Sequence, residues 1–567
     1  MMKEENYFCS KKTAFVFIVS AIVVISTAPM ITMATSSWDQ FQKDDMHSGV
    51  TTELAPVKNV VKAWKVFTHT DDWKMAGIDV MPIVAEGKVL VIDAKGYAWA
   101  FDAKSGEGIW NTTLSCNGLQ FQLATPAYGD EKVFFATNDG HVYALNPQNG
   151  SVIWVNETAE IYDQLNTPVT YADGKVYVGS LRSDNGASET GIYYCLDTST
   201  GDIVWARPSD TGMGYYWAGA MVIGDYLVYG DCASVLTSVY KDNGTFVDTV
   251  NLTRGTDVPF NRSDAGTIRS SVTYSQGSVF LTSDGGYLWK IGFNESTGNF
   301  TPEGWTREIG YSSSTPIVLE GRVYIGSGTF STGGTLYCVK EDNGAELWNI
   351  SVDGGVKASP AISIQDGALY IYFTTNCQNG KAYCVNGSGN ELWNFTTEEA
   401  GSSEGYILQG VALSDGYVYF GNDGGYLYGL KEAEPSAFWE GEVTLTANTT
   451  FNVTAQNSGE SYELNRTTAL GALAAVAEQG NFNYTLSDLW YASFNALQVD
   501  SIGETANSVT EYWLYWVNYP TESSPIVGVN AYDLDDGDVI TYYYGGSTAT
   551  PDNASKVITI HVCVLTP

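Results

Sequence analysis

The chain has 567 residues, more than one ordinary core holds, so its length alone predicts at least two domains. Its 28 Lys and Arg stand against 64 Asp and Glu, a net charge of −36 with no basic stripe, which excludes nucleic acid as a partner and disfavours anionic lipid surfaces. Charged residues are sparse at 16%, while 59 Gly, 37 Tyr and 16 Trp predict β-structure with many tight turns.

The first element is a leader. Lys11 and Lys12 precede the apolar run AFVFIVSAIVVISTA (14–28), and Thr32-Met33-Ala34 supplies small residues for cleavage. Residues 1–34 therefore read as a secretory signal peptide or, if uncleaved, an N-terminal anchor. The expected location is extracellular or at the cell surface, with membrane contact only through an uncleaved leader. Sixteen N-x-Ser/Thr sequons agree with export, among them Asn111, Asn156, Asn243, Asn251, Asn294, Asn349, Asn394, Asn448 and Asn483. Of eight cysteines, seven remain after cleavage, and no C-x-x-C motif exists, so zinc and thioredoxin-like readings fail.

Next comes a strand, VVKAWKV (60–66), that carries Trp64 without a repeat before it. The repeat itself begins at AFDAKSGEGIW (100–110). It returns as ALNPQNGSVIW (144–154), CLDTSTGDIVW (195–205) and CVKEDNGAELW (338–348). Each cassette closes a unit of about 45 residues that reads as four antiparallel strands, with turns such as Asn138-Asp139-Gly140. Third strands recur from YAWAF (97–101) to YLYGL (426–430), eight in all. The last unit lacks a closing strand, and 60–66 supplies one. Residues 35–432 are thus expected to form an eight-bladed β-propeller closed by the N-terminal strand, whereas an open stack would leave sheet edges unpaired.

In this reading Trp64, Trp110, Trp154, Trp205, Trp305, Trp348 and Trp393 dock between blades. The leading small residue gives them room, and the Gly permits the turn. Asp248 stands where the fourth unit should carry Trp, and Lys290 breaks the small-residue rule.

Residues 433–440 read as a linker, and 441–567 as a small α+β, β-grasp-like domain. GEVTLTANTTFNVTAQ gives two strands. RTTALGALAAVAEQGN gives a helix capped by Thr467 or Thr468 and ended by Gly480. Strands follow at NALQVDSIG, YWLYWVNYP and DVITYYYGG. DLDDGD (533–538) is an acidic turn, since Tyr544 stands where a calcium loop needs Glu. Trp513, Tyr515 and Trp516 read first as strand core and second as a ligand or glycan face.

The cassette resembles the tryptophan-docking motif of the quinoprotein, or pyrroloquinoline-quinone-repeat, propeller family. The opening SWDQFQKDDMHSGVT (37–51) is similar to that of its secreted members, and the likeness runs over roughly 37–432. It implies the fold. For activity it implies two outcomes, because the family holds dehydrogenases and non-catalytic scaffolds. The dehydrogenases carry the quinone (PQQ) and Ca²⁺ on the axis, with an Asp base and a Trp platform. Alcohol-oxidising members usually add a disulfide between adjacent cysteines. This chain has no adjacent cysteines, no C-x-x-C-H haem motif, and dispersed histidines at 47, 69, 141 and 561. The C-terminal pieces TALGALAAV, YWLYWVN and LDDGDVITYYY resemble an uncharacterised domain of secreted proteins related to the C-terminal domain of corrinoid carriers, which implies ligand binding.

The expectation is an exported, non-catalytic scaffold or binding protein at the cell surface that contacts proteins, glycans or a small ligand. No catalytic residue, metal or cofactor is expected. The alternatives are a PQQ- and calcium-dependent dehydrogenase, and corrinoid or glycan binding through 441–546. The acidic, sequon-rich export character leans towards an archaeal source.

Overall fold

A computed structural model describes residues 37–68, 77–116, 121–157, 163–182, 190–253, 260–433 and 436–566. The expected leader and His69 lie outside the described residues. Strands Ile83–Ala85, Lys88–Ile92, Tyr97–Asp102 and Gly108–Thr113 form the first antiparallel sheet, blade 1. Blades 2–7 repeat the pattern over 127–157, 163–208, 221–251, 273–308, 317–352 and 361–396. Blade 8 has three strands of its own within 412–432, and its fourth is Val60–Phe67, paired so that Trp64 faces Gly429. That pairing closes the ring of a β-propeller and leaves no free edge between its two ends.

The local chemistry explains the units. Glu320 and Gly321 both hold positive φ, 51° and 74°, between two strands of blade 6, as a type I′ hairpin turn requires. Middle strands such as Lys88–Ile92 and Ser278–Ser283 are buried along their whole length, because each sheet packs against a neighbour on both faces. Outer strands such as Gly108–Thr113 bury only the Trp.

The segment before Val60–Phe67 lies along the inner strands and visits the blades in order. Trp38 bridges Val84 of blade 1, and Asp39 O accepts from Tyr128 N of blade 2 at 2.7 Å. Gln40 Nε2 donates to Tyr171 O of blade 3 at 3.2 Å. Asp45 O accepts from Val222 N of blade 4 at 2.9 Å, and the His47 ring meets Val272 O of blade 5 at 2.9 Å. Gly49 abuts Ile317 of blade 6. Val50–Thr51 pairs in parallel with the inner strand of blade 7, and Leu54 O accepts from Gly416 N of blade 8 at 2.9 Å. The segment is a hoop inside the ring.

After the propeller, Ser436–Thr446 pairs in parallel with the last strand, Lys556–Leu565, in a four-stranded sheet completed by Val539–Gly545 and Tyr512–Val517. This corrects the expected linker 433–440, because strand pairing already starts at Ser436↔Lys556. The helix is Ala469–Gly480, capped by Thr468 Oγ1, which accepts from Gly471 N at 3.2 Å. Gly480 belongs to the helix, and Asn481 in the left-handed region ends it, so the stop falls one residue later than expected. Asp535 N donates to Asp538 Oδ2 at 2.9 Å within the acidic turn 533–538.

Candidate functional site

Three places bear on function: the blade joints, the propeller axis and a cleft in the C-terminal domain. At the joints each Trp N–H reaches a backbone carbonyl, six of the seven in the next blade. Trp64 donates to Ala103 O, Trp110 to Pro147 O, Trp154 to Thr198 O and Trp205 to Lys241 O, at 2.8–3.0 Å. Trp305 donates to Glu341 O and Trp348 to Gly387 O at 3.0 and 3.1 Å, and Trp393 uses Pro56 O of the hoop at 2.9 Å. The indole lies on the cassette Gly of that next blade. A Cβ on Gly106, Gly150, Gly201, Gly244, Gly344 or Gly389 would stand 2.5–2.8 Å from it.

The leading small residue faces the Trp of its own blade, as Ala100 faces Trp110 and Cys384 faces Trp393. Asp248, in place of a Trp, accepts from Phe300 N of the next blade at 2.8 Å. Lys290 reaches past Trp305 to the same acceptor, Glu341 O, at 3.1 Å and lies over the Phe280 ring. The seven described cysteines are free thiols.

At the axis, one position recurs three residues ahead of the Pro, or its equivalent, that opens each inner strand. Around the ring it holds Asp79, Leu123, Leu165, Trp217, Arg269, Ser313, Lys357 and Leu408. Six of these eight, with Phe41 of the hoop, Pro168, Thr315, Ser359 and Gln409, line an axial cavity of about 20 Å³. Hydroxyls tie neighbouring loops there. Gly219 N donates to Ser271 Oγ, Ser271 N to Thr315 Oγ1 and Thr315 N to Ser359 Oγ, at 2.9–3.1 Å.

Two charged groups, Arg269 and Lys357, interrupt this lining, and an acidic pair, Asp79 and Asp423, stands near it. Arg269 Nε pairs with Asp284 Oδ2 at 3.0 Å. Lys357 is buried, with Nζ 3.5 Å from the centroid of the Phe330 ring and 5.0 Å from that of Trp217. Burial, then Arg269, pushes its ammonium down to about 8. Asp79 and Asp423 are hydrogen-bonded to each other. Burial raises both, Asp423 to about 7, and the neighbouring charge raises Asp79 further, so charge on the pair is disfavoured.

A quinone with its calcium does not fit this lining. The cavity has room for about one water molecule. The Trp217 ring already meets two cations, Lys357 at 5.0 Å and Arg269 at 5.8 Å. Among the described residues no group of three or more His, Cys, Asp or Glu is placed to hold a metal.

The C-terminal cleft is far larger, about 600 Å³. It lies along the edge strand Tyr512–Val517 and is lined by Trp490, Phe494, Leu497, Gln498, Leu514, Ile526 and Val527 among others, with no Asp, Glu, Lys, Arg or His. Its rim is unusually apolar for an exposed surface: Ile526 is 100% exposed, Phe494 71% and Trp490 52%. Of the three aromatic residues singled out in the sequence, Trp513 and Tyr515 line the cleft and Trp516 does not. Trp513 is buried, donating to Thr505 O at 2.9 Å and packing on Tyr544. Tyr515 OH donates to Val527 O at 2.7 Å, and Trp516 Nε1 to Glu522 O at 2.8 Å.

Sequon residues Asn111, Asn243, Asn294, Asn349, Asn394, Asn448 and Asn483 are exposed, and Asn156 and Asn251 are half-buried.

Sequence reasoning missed the axial charges and the aromatics of the cleft rim. The axial signal was available: Arg269 and Lys357 depart from small or apolar residues at a fixed offset from the inner-strand proline. Trp490, Phe494 and Ile526 carry no periodic signal, since they lie outside long strands.

The family model described as outer membrane protein assembly factor BamB matches residues 58–249, 158–350 and 275–482. Over 344 residues the chain is 25% identical to outer membrane protein assembly factor BamB of Yersinia pestis, covering 58% of this chain and 78% of that protein. Over 202 residues it is 29% identical to a quinoprotein ethanol dehydrogenase of Pseudomonas aeruginosa, covering 30% of this chain and 32% of the enzyme. Among solved structures, a europium-containing methanol dehydrogenase superposes with a TM-score of 0.55 at 14% identity, covering 70% of this chain and 98% of that one. The chain spans about a third of the quinoprotein ethanol dehydrogenases it matches. The repeated Trp joints, the closed ring and the three overlapping family matches together place the chain in the PQQ-repeat β-propeller family.

Proposed function

We propose that the protein is an exported, non-catalytic β-propeller scaffold whose C-terminal domain binds a neutral ligand in the cleft beside Trp490 and Phe494. The observation that carries this reading is the cleft itself, about 600 Å³ and free of formal charge in a chain of net charge −36. Small-molecule sites run to about 300–1,000 Å³ and are mainly apolar with a few polar anchors. Gln498, Asn495 and Ser524 are such anchors here. The likeness to an outer membrane assembly factor supports contacts with proteins as a second use of the propeller. The resemblance of the domain to corrinoid carriers makes a corrinoid one ligand to try, and exposed aromatic rings make neutral oligosaccharides another. A dehydrogenase reading draws on the named quinoprotein relatives, but it needs a quinone and calcium that the axial lining does not fit.

The test uses the full chain purified from an exporting host, with its intact mass recording glycans on exposed sequons. Titration with cobalamin and with neutral oligosaccharides is expected to give binding that weakens about tenfold or more in Phe494→Ala and Ile526→Ser. Ethanol turnover on addition of quinone and Ca²⁺, or binding unchanged in both variants, would overturn the proposal.

A further inference from the structure

We propose that Lys357, Arg269 and the indole N–H of Trp217 hold one halide-sized anion on the propeller axis, a site independent of the C-terminal cleft. Three observations meet there. Lys357 is 3% exposed, and among the described residues its Nζ meets aromatic rings, Phe330 at 3.5 Å and Trp217 at 5.0 Å, with no carboxylate within ion-pair distance. Trp217 Nε1 is buried and lacks an acceptor. Both side chains, with Arg269, line the same axial cavity of about 20 Å³. Buried donors left without acceptors are costly, so the cavity calls for an acceptor.

Charge decides which acceptor. Arg269 and Lys357 repel one another, and Arg269 is already engaged by Asp284. The Asp79–Asp423 pair faces Lys357 from blades 1 and 8, and Asp423 attracts the ammonium, but burial and the neighbouring carboxyl disfavour charge on that pair, and no ion pair joins it to Lys357 among the described residues. Tyr216 and Tyr311 add ring faces around the two cations. One cation is therefore left over, and an anion answers it better than a water molecule does. Size then limits the ion: a cavity for about one water admits chloride or bromide and excludes sulfate or a carboxylate-bearing molecule. The Trp217 backbone is held at φ 67°, a region unfavourable for a large side chain, and its indole lines the axial cavity. The hydroxyls of Ser313, Thr315 and Ser359 complete the lining.

The test has two readouts. Crystals soaked in sodium bromide are expected to show an anomalous peak between Lys357 Nζ and Trp217 Nε1. The thermal midpoint in sodium chloride, with sodium gluconate keeping ionic strength constant, is expected to rise by about 1–2 °C per tenfold of chloride. That rise is expected to vanish in Lys357→Met and to shrink in Trp217→Phe, which keeps the ring and serves if Lys357→Met does not fold. Absence of the peak overturns the proposal. So does a peak whose chloride response is the same in wild type and in the variants, which would mean an adventitious ion only.

Discussion

Gly150 can carry a side chain only by displacing Trp110 of the preceding blade, which occupies the space where one would begin. A Cβ there would stand 2.5 Å from Trp110 Cε3 and 2.7 Å from Thr112 Oγ1, at φ 70°. Gly321 has nearly the same backbone, φ 74°, with nothing within 4 Å of its would-be Cβ. The two positions separate backbone strain from packing. Gly321→Ala is expected to cost about 1 kcal/mol for the left-handed backbone alone. Gly150→Ala is expected to cost about 1–3 kcal/mol more, from displacement of the indole. Urea unfolding of both variants measures the difference, and equal losses would show that the seat contributes nothing. The spacing of Gly and Trp was legible in the repeat, but only as a turn and a wedge. That the two are one contact was not, because the partners are a blade apart, Trp110 on Gly150 and Trp154 on Gly201. Asp248 and Lys290 looked like defects for the same reason: their partners, Phe300 N and Glu341 O, lie in the following blade.

The hoop of residues 37–58 is a single element that touches every blade, so a change in one of its side chains is felt around the ring. His47 is buried at its middle, with the ring edge-on to Phe41, and its Nδ1–H donates to Val272 O. Burial lowers its proton affinity, against the opposing pull of Val272 O and Asp44. Since the folded value lies below the ordinary 6.5, the neutral ring is the form the fold favours. Its contribution is complete above about pH 6.5 and is lost as the pH falls through the folded value. Asp39, pushed up to about 6 by burial, acts in the opposite sense over the same range, and Asp45 is also raised by burial. The comparison is therefore between wild type and His47→Gln. The wild type is expected to lose more stability than the variant as the pH falls from 7 to 5, by denaturant unfolding at each pH. Parallel curves would remove His47 as the cause. At this scale, strands with local turns were legible, whereas pairings between distant segments were not. The strand Lys556–Leu565 was missed and the linker drawn too long, because each half of that parallel pair has its partner more than a hundred residues away.

Ring closure is a property of the whole molecule, and Trp64 is where it can be tested. Its indole sits on Gly106 of blade 1, donates to Ala103 O, and stands opposite Gly429 of blade 8. Lys65 adds ion pairs to Glu398 and Glu399 at 2.6 and 2.9 Å. The orphan Trp made this joint readable from the sequence, since a strand with the cassette's last residue and none of its first must complete another unit. Trp64→Ala is expected to cost about 3–5 kcal/mol, as for other buried aromatic deletions. Trp205→Ala, at the joint of blades 3 and 4, should cost a similar amount, so the energy alone does not distinguish closure from ordinary packing. The location of the loosening does. In a closed ring, losing Trp64 frees both blades that meet there. Amide hydrogen exchange is then expected to quicken over 83–113 and 412–432 as well as over 60–67, while blades 3 and 4 keep their protection. Trp205→Ala should give the converse pattern. If Trp64→Ala quickens exchange only within 60–67, that strand is a surface addition, and blades 1 and 8 are held together by the hoop alone.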